Sequence, residues 1–135
     1  MYKLQVKSRS RSELIEITGL VRDVLTKHPI KDGLCMVFVP HTTAGITINE
    51  NADPDVKSDI LLGLERMASQ KEFRHVEGNS DAHLKASLMG SSQLVLVENG
   101  ALVLGTWQGI YLAEFDGPRS RTIIIKLLAN LREDN

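Results

Sequence analysis

The amino-acid sequence predicts an α+β fold of largely antiparallel sheets with two to three helices. Three observations predict it. After Asp53-Pro54, apolar residues recur at helical spacing. From Gln93 onward the pattern changes to short apolar runs broken by turn residues. Between two of those runs stands Asn99-Gly100, a pair that supplies the two positive φ values of a type I′ hairpin turn. The implied order is β-β-α-β-β-α-α-β-β-β-β, an arrangement that suits α+β architecture.

Residues 2–8 and 13–18 read as two strands joined by the polar stretch Arg9-Ser10-Arg11-Ser12. Thr18 is placed to cap a short helix whose Leu20, Val21, Val24 and Leu25 share a face, and Pro29 forbids its continuation. Leu34 to Val39 is an apolar run of strand length. Pro40 interrupts it, and His41 to Asn49 resumes with alternating polar and apolar residues. Asp53 can accept a bond from the free amides of a helix's first turn, and proline is tolerated at the first helical position. Val56, Ile60, Leu61, Leu64 and Met67 form the stripe of that helix. Residues 71–80 read as a loop. Ser80 or Asp81 is placed to cap a further helix carrying Leu84 and Leu88, and Gly90 to end it. Strands follow at 94–97, 102–104 and 107–115. After the turn Asp116-Gly117-Pro118, residues 122–128 predict a last strand, nearly all apolar and buried on both faces.

The length fits one domain over residues 1–135, which can bury roughly two thirds of its unfolded surface without a disulfide or a metal. A net charge of −1 gives no global attraction to nucleic acid or anionic membrane. Apolar runs such as Leu94–Val97 and Ile123–Ile125 are too short to span a bilayer. The opening residues do not read as a signal peptide, so a cytoplasmic location is expected. The single cysteine, Cys35, excludes an internal disulfide and reads as an inert buried thiol. His28, at a helix end where a cation is favoured, reads as structural.

Three segments carry polar residues that a plain scaffold does not need. In the first, His41-Thr42-Thr43-Ala44-Gly45-Ile46-Thr47-Ile48-Asn49-Glu50-Asn51, a continuous strand sets His41, Thr43, Gly45, Thr47 and Asn49 on one face. That face is either solvated, or a site with His41 as ligand or acid/base group and Glu50 or Asn51 at the strand end. The second runs from His75 to His83 and holds His75, Glu77, Asn79, Asp81 and His83 within nine residues. Imidazole and carboxylate are the usual zinc ligands, though the spacing matches no standard zinc motif. A solvated loop with Asp81 as a cap is the plain alternative. His83 is expected in the first turn of a helix and reads as a candidate metal ligand. The third is Leu104-Gly105-Thr106-Trp107-Gln108-Gly109, whose glycines permit close approach of a ligand or backbone. Trp107, the only tryptophan, reads first as a core anchor and second as a stacking platform. Downstream, Glu114, Asp116, Arg119 and Arg121 follow, with the arginines either clamping a phosphate or forming surface ion pairs. Gly90-Ser91-Ser92 sits at a helix C-terminus, the wrong end of the dipole for a phosphate. The phosphate-binding, dinucleotide, nucleophile-elbow and Cys-x-x-Cys motifs are absent from the sequence, which argues against the function classes they mark.

Together these segments resemble the YjbQ-like family, UPF0047. The resemblance rests on His41-Thr42-Thr43-Ala44-Gly45 with Asn49-Glu50-Asn51, on Asp81-Ala82-His83-Leu84-Lys85-Ala86 with Gly90-Ser91-Ser92, and on Gly105-Thr106-Trp107-Gln108 with Glu114-Phe115-Asp116-Gly117-Pro118-Arg119. It covers essentially the whole chain, and Gly-Thr-Trp-Gln is its most specific element. The resemblance implies a YjbQ-like α+β fold, a homotrimer, a divalent metal such as zinc or magnesium, and a thiamine-phosphate synthase-type activity. Under it His41, Glu50, His83, Trp107, Gln108 and Arg119 are the candidate catalytic residues. His41, His75, Asp81 and His83 are the candidate metal ligands. The expected partner is a small anionic or phosphorylated metabolite. Hydrolysis of a small phosphorylated or amide substrate, or binding without turnover, would use the same residues.

Overall fold

The computed structural model describes residues 1–68, 73–75 and 78–130. Its elements follow the predicted order: Tyr2–Lys7 (β1), Glu13–Glu16 (β2), Thr18–Lys27 (α1), Gly33–Phe38 (β3), Ala44–Glu50 (β4), Pro54–Ala68 (α2), Ser80–Met89 (α3), Ser92–Glu98 (β5), Ala101–Leu102 (β6), Gln108–Glu114 (β7) and Ser120–Ala129 (β8). The strands form two sheets, one ordered β1-β8-β3-β5-β6 and one ordered β2-β7-β4, and every pairing is antiparallel. The fold is α+β, as the sequence predicts.

Local chemistry accounts for several boundaries. Asp53 Oδ1 accepts the amide of Asp55 at 2.9 Å, which starts α2 where the Asp-Pro pair predicts. Asn99 and Gly100 take φ values of 51° and 79°, the backbone a two-residue hairpin turn requires. Gly90 ends α3 at φ 85°, with its amide on Ala86 O at 2.9 Å.

The two sheets face one another across the main core. Val6, Cys35, Val37, Val95, Val97, Ile123 and Ile125 come from the large sheet, Ile46, Ile110 and Leu112 from the small one, and Val21, Val24 and Leu25 from α1. A second core fills the other face of the small sheet, where Tyr111, Ala113 and Phe115 meet Leu64 of α2 and Ala82 and Ala86 of α3. Strand β7 is therefore the one buried on both faces, with every residue from Gly109 to Glu114 buried. This corrects the expectation for β8. Arg121, Ile123 and Ile125 of β8 point into the core, while Lys126 and Leu128 on its other face are exposed. That outer face continues through Met36, Leu94 and Leu96, an exposed apolar patch on neighbouring strands.

Three further expectations are corrected. Thr18 does not cap α1. Its hydroxyl accepts the Ile110 amide at 2.8 Å and donates to Glu16, tying the helix start to β7 and β2. Met67 of α2 is 62% exposed and lies off the buried stripe. Helix α3 buries Ala82, Lys85 and Ala86 and exposes Leu84 and Leu88, the reverse of the predicted face. The reason is close approach. A Cβ on Gly45 of β4 would stand 2.7 Å from Gly90 O and 2.8 Å from Met89 Cβ, so the facing positions of α3 hold small residues. Lys85 fits because its stem passes under the helix pair and its ammonium reaches Glu65 and Asp81.

Candidate functional site

Strand β4 does not begin at His41. Residues 41–43 form a bend ahead of it, so His41 and Thr43 do not share the face of Gly45, Thr47 and Asn49. The bend is held from β8. Glu114 and Arg121 form an ion pair in which both side chains are essentially inaccessible. Arg121 Nη2 also donates to Thr43 Oγ1 at 2.8 Å and to Thr43 O at 3.2 Å. Ser8 Oγ donates to Glu114 Oε1 at 2.6 Å, and the amides of Phe115 and Asp116 donate to Glu114 Oε2. Burial pushes the Glu114 carboxyl upward, but the bonds from Arg121, Ser8 and Asp116 and the Arg121 charge outweigh it, and the net shift is downward.

One residue along β8, the Thr122 amide donates to His41 Nε2 at 3.0 Å. The β3–β8 ladder pairs Phe38 with Ile124 and then ends. The imidazole supplies the acceptor that the departing strand no longer offers to Thr122. The His41 pKa is lowered, first by burial and then by the Arg121 charge, with Glu114 partly opposing.

His41 and Thr42 form one wall of an open cleft of ≈ 490 Å³, and His83, Ser87, Gly90 and Ser91 line the rest of it with two alanines. His83 arrives from the first turn of α3, whose C-terminal end is seated on β4 by the bond from Ile46 N to Gly90 O at 3.0 Å. The His75 ring stands edge-on to His83, with centroids 5.5 Å apart. The structure thus brings His41 and His83 onto one cleft, with His75 beside His83, and among the described residues no carboxylate lines it.

The other candidates lie elsewhere. Asp81 neither caps α3 nor stands free. Its two oxygens meet Arg11 at 3.0 and 3.2 Å, Oδ2 lies 3.5 Å from Lys85, and the N-cap residue is Asn79. Burial raises its carboxyl, but Arg11 and Lys85 outweigh this and the net shift is downward. Arg119 folds back on Asp116, with Nε on its carbonyl at 2.9 Å and Nη2 on its carboxylate at 3.0 Å. Glu77 lies outside the described residues, as does part of the predicted loop at 71–80. Among the described residues no three His, Cys, Asp or Glu side chains group to hold a metal.

Glu50, Trp107 and Gln108 sit at the far end of the small sheet. The β4–β7 ladder runs from Ala44 opposite Glu114 to Glu50 opposite Gln108, a separation of about 20 Å. There Gln108 Oε1 accepts the Gly105 amide at 2.8 Å and closes a tight turn, and the Asn51 amide donates to Trp107 O at 2.9 Å. Trp107 is 63% exposed, which corrects its reading as a core anchor. The Glu16 carboxylate beside this turn accepts from Asn51 Nδ2 at 3.2 Å.

Comparison with known proteins now places the chain. Residues 2–130 match the model of the family described as UPF0047 protein YjbQ-like. The chain belongs to that YjbQ-like family. The UPF0047 protein YugU of Bacillus subtilis is 54% identical over 127 residues, covering 93% of this chain and 96% of the relative. The UPF0047 protein MJ1081 of Methanocaldococcus jannaschii is 49% identical over 131 residues, covering 96% and 95%. A crystal structure of a YjbQ/UPF0047 family protein from Clostridium acetobutylicum superposes with a TM-score of 0.93 at 53% identity, covering 95% of this chain and all of that one. A hypothetical protein from Aeropyrum pernix, 36% identical, gives 0.91 and covers 96% and 98%.

In this YjbQ-like chain the sequence reading missed the residues that hold His41 in place. Arg121 reads from the sequence as a surface ion pair or a phosphate clamp, and it is 1% exposed, with Nε and Nη2 bonded to Glu114 and Thr43. Its parity on β8 was the available signal, because Arg121 alternates in step with Ile123 and Ile125 and so shares their buried face. Thr43 and Ser8 carry no such signal, since their partners lie far away in sequence.

Proposed function

We propose that the His41–His83 cleft is the working site of a transferase of the thiamine-phosphate synthase type, acting on small phosphorylated metabolites with a divalent metal. The observation that carries this reading is the convergence of His41 and His83 on one open cleft whose other polar side chains, among the described residues, are hydroxyls. A cleft lined by imidazoles and hydroxyls suits anionic ligands, because both groups can donate hydrogen bonds to a phosphate.

The residues present fit a metal in part. His83 and His75 are two imidazoles at edge-on contact, a donor pair suited to zinc, and two protein ligands leave positions for substrate oxygens. Asp81 is a poor third ligand because Arg11 and Lys85 already hold it. Bound there, a divalent ion would neutralise charge on a phosphorylated leaving group.

The reaction joins a pyrimidine-methyl diphosphate to a thiazole phosphate. The methylene carbon–oxygen bond breaks and its electron pair leaves with the diphosphate, while the ring nitrogen lone pair of the thiazole forms the new carbon–nitrogen bond. No proton has to be removed from the nucleophile, so a site without a carboxylate base is sufficient. Hydrolysis instead needs an activated water, a task that the same imidazoles and metal would serve, and it is told apart by needing one substrate and water rather than two substrates. For the chain itself, the tasks are orientation, charge stabilisation and exclusion of water.

Two further readings belong with this one. Assembly into three chains is supported by the apolar outer face formed by Met36, Leu94, Leu96 and Leu128, which a lone chain leaves in water. Such assembly also offers a route for the Trp107 end of one copy to approach the cleft of the next. A light-scattering mass near the single-chain 15.0 kDa would sink the assembly. No helix among the described residues is long and apolar enough to cross a membrane.

The test is formation of thiamine phosphate by the purified protein, with zinc or magnesium restored after chelation. The expected result is metal-dependent product, lost in His83→Ala together with a fall in bound metal of about tenfold or more. No product with both substrates present would leave a hydrolase or a binding module in its place.

A further inference from the structure

We infer that His41 is an oxyanion donor rather than a metal ligand: its Nδ1–H binds a phosphate oxygen of the ligand, and the metal, where present, belongs to the His83–His75 side of the cleft. The inference deepens the proposed function and rests on its assignment of the cleft as the working site.

The Thr122 backbone amide can only donate, and it points at His41 Nε2 across 3.0 Å. Nε2 must therefore offer its lone pair. A neutral imidazole carries one N–H, and with Nε2 accepting, that hydrogen sits on Nδ1. The alternative ring orientation would turn a carbon toward the Thr122 amide and leave that donor unmet, so the bond itself fixes the ring. A metal needs a lone pair, and Nδ1 in this tautomer has none to give. For His41 to coordinate, the ring would have to lose its one N–H proton and become an imidazolate, or release the Thr122 amide.

The same tautomer sets what His41 can bind. Its one free polar atom is a donor, and its partners in the cleft wall are hydroxyls, those of Thr42, Ser87 and Ser91. Among the described residues lining the cleft, neither a carboxylate nor another acceptor-only side chain competes for the hydrogen. A phosphate oxygen is the acceptor that fits, because a charged acceptor strengthens the bond and can take several donors at once. The bend carrying His41 cannot relax easily, since Arg121 holds Thr43 O and Oγ1 two residues away. The cleft thus sets the His41 Nδ1–H on the wall formed by the bend and the His83 imidazole on the α3 wall, with His75 beside His83. A phosphorylated substrate would span the two, one oxygen on His41 and others on the ion.

The experiment is nitrogen NMR on protein labelled at histidine, with His41 assigned from the spectrum of His41→Ala. In metal-free wild type the expected His41 signature is a protonated Nδ1 and a bare Nε2. Inorganic phosphate should shift the His41 ring, and zinc should shift His83 and His75 while the His41 Nδ1–H persists. Phosphate affinity should fall about tenfold or more in His41→Ala. It should recover in large part in His41→Asn, whose amide places an N–H near Nδ1. Bound zinc should be unchanged in both variants. A protonated Nε2 in wild type overturns the inference without any variant having to fold. So does loss of zinc in His41→Ala, or phosphate that binds wild type and His41→Ala equally. Failure of the proposed function looks different: no zinc on His83 or no thiamine phosphate formed, with the His41 tautomer and its phosphate response intact.

Discussion

The two ends of the β4–β7 ladder carry similar polar residues and handle them in opposite ways. At the Ala44 end, Glu114, Arg121, Ser8 and Thr43 are buried and bonded to one another, and the His41 ring completes a backbone ladder. At the Glu50 end, Asn51, Trp107 and Gln108 are exposed, and Gln108 only closes its own turn. Polar groups at the first end fix a geometry, because each would be left without a partner if the bend moved. Polar groups at the second end have water as an alternative and fix little. A pre-set site is expected at the first, and a surface that waits for a partner at the second.

The sharpest way to break this contrast is Glu114→Ala. It leaves Arg121 buried and uncompensated, and removal of one member of a buried pair costs about 3–5 kcal/mol. Chemical denaturation should show a loss of that order. Glu16→Ala at the other end removes an exposed carboxylate, and its loss should stay under about 1 kcal/mol. Equal losses would mean that the buried network is not what separates the ends.

The glycines give a second, smaller comparison. Gly45→Ala drives a Cβ against the Gly90 carbonyl and Met89 Cβ, which are a helix end that cannot turn aside. Overpacking of this kind costs about 1–3 kcal/mol and should displace His83, so bound metal should fall with stability. Gly109→Ala meets Glu16 Oε2 at 2.8 Å and Asn51 Cβ at 2.9 Å. The exposed Glu16 carboxylate can swing outward, and Asn51 lies in an exposed connection rather than on a packed helix end, so the melting temperature should fall less than that of Gly45→Ala.

Much of this contrast was hidden in the sequence for identifiable reasons. Asp53-Pro54 and Asn99-Gly100 were legible because caps and tight turns are local, and their chemistry sits within four residues. The two-sided burial of β7 was not, because Gln108 to Glu114 mixes glycine, alanine and polar residues and lacks the uniform apolar run of β8. Topology overrides that pattern: β7 is the centre of the small sheet between two cores, and β8 has one face to solvent. The histidines were legible as candidates by residue type. Their meeting was not, since it depends on α3 settling against Gly45. The role of Thr122 was out of reach entirely, because a backbone amide leaves no trace in a residue pattern.

A third test uses pH. The Glu114 carboxyl is held below its ordinary value, so as the solution is acidified the unfolded chain takes up its proton first. Stability from this carboxylate is complete above the ordinary carboxyl range and is lost as the pH falls through the lower folded value. The denaturation midpoint should therefore decline on acidification below about pH 4.5. Glu114→Gln cannot titrate there, and its midpoint should decline less steeply. An unchanged slope would place the acid sensitivity elsewhere, with Asp81, also depressed by Arg11, as the next carboxyl to replace.

The smallest effect on stability is expected at Trp107, and it tests the exposed end most directly. With 63% of its surface in water, this ring has little burial to lose. Its backbone carbonyl, not its side chain, holds Asn51. Trp107→Ala should change unfolding free energy by less than about 0.5 kcal/mol. A large exposed aromatic that contributes nothing to folding suits contact with something outside the chain, either a ligand or a neighbouring copy. If stability is unchanged while the assembled mass falls, the ring serves the contact between copies. If mass and stability both hold while thiamine-phosphate formation drops, it meets the substrate. A loss of several kcal/mol would show that Trp107 is buried in solution, and the two ends of the ladder would then differ less than their exposure suggests.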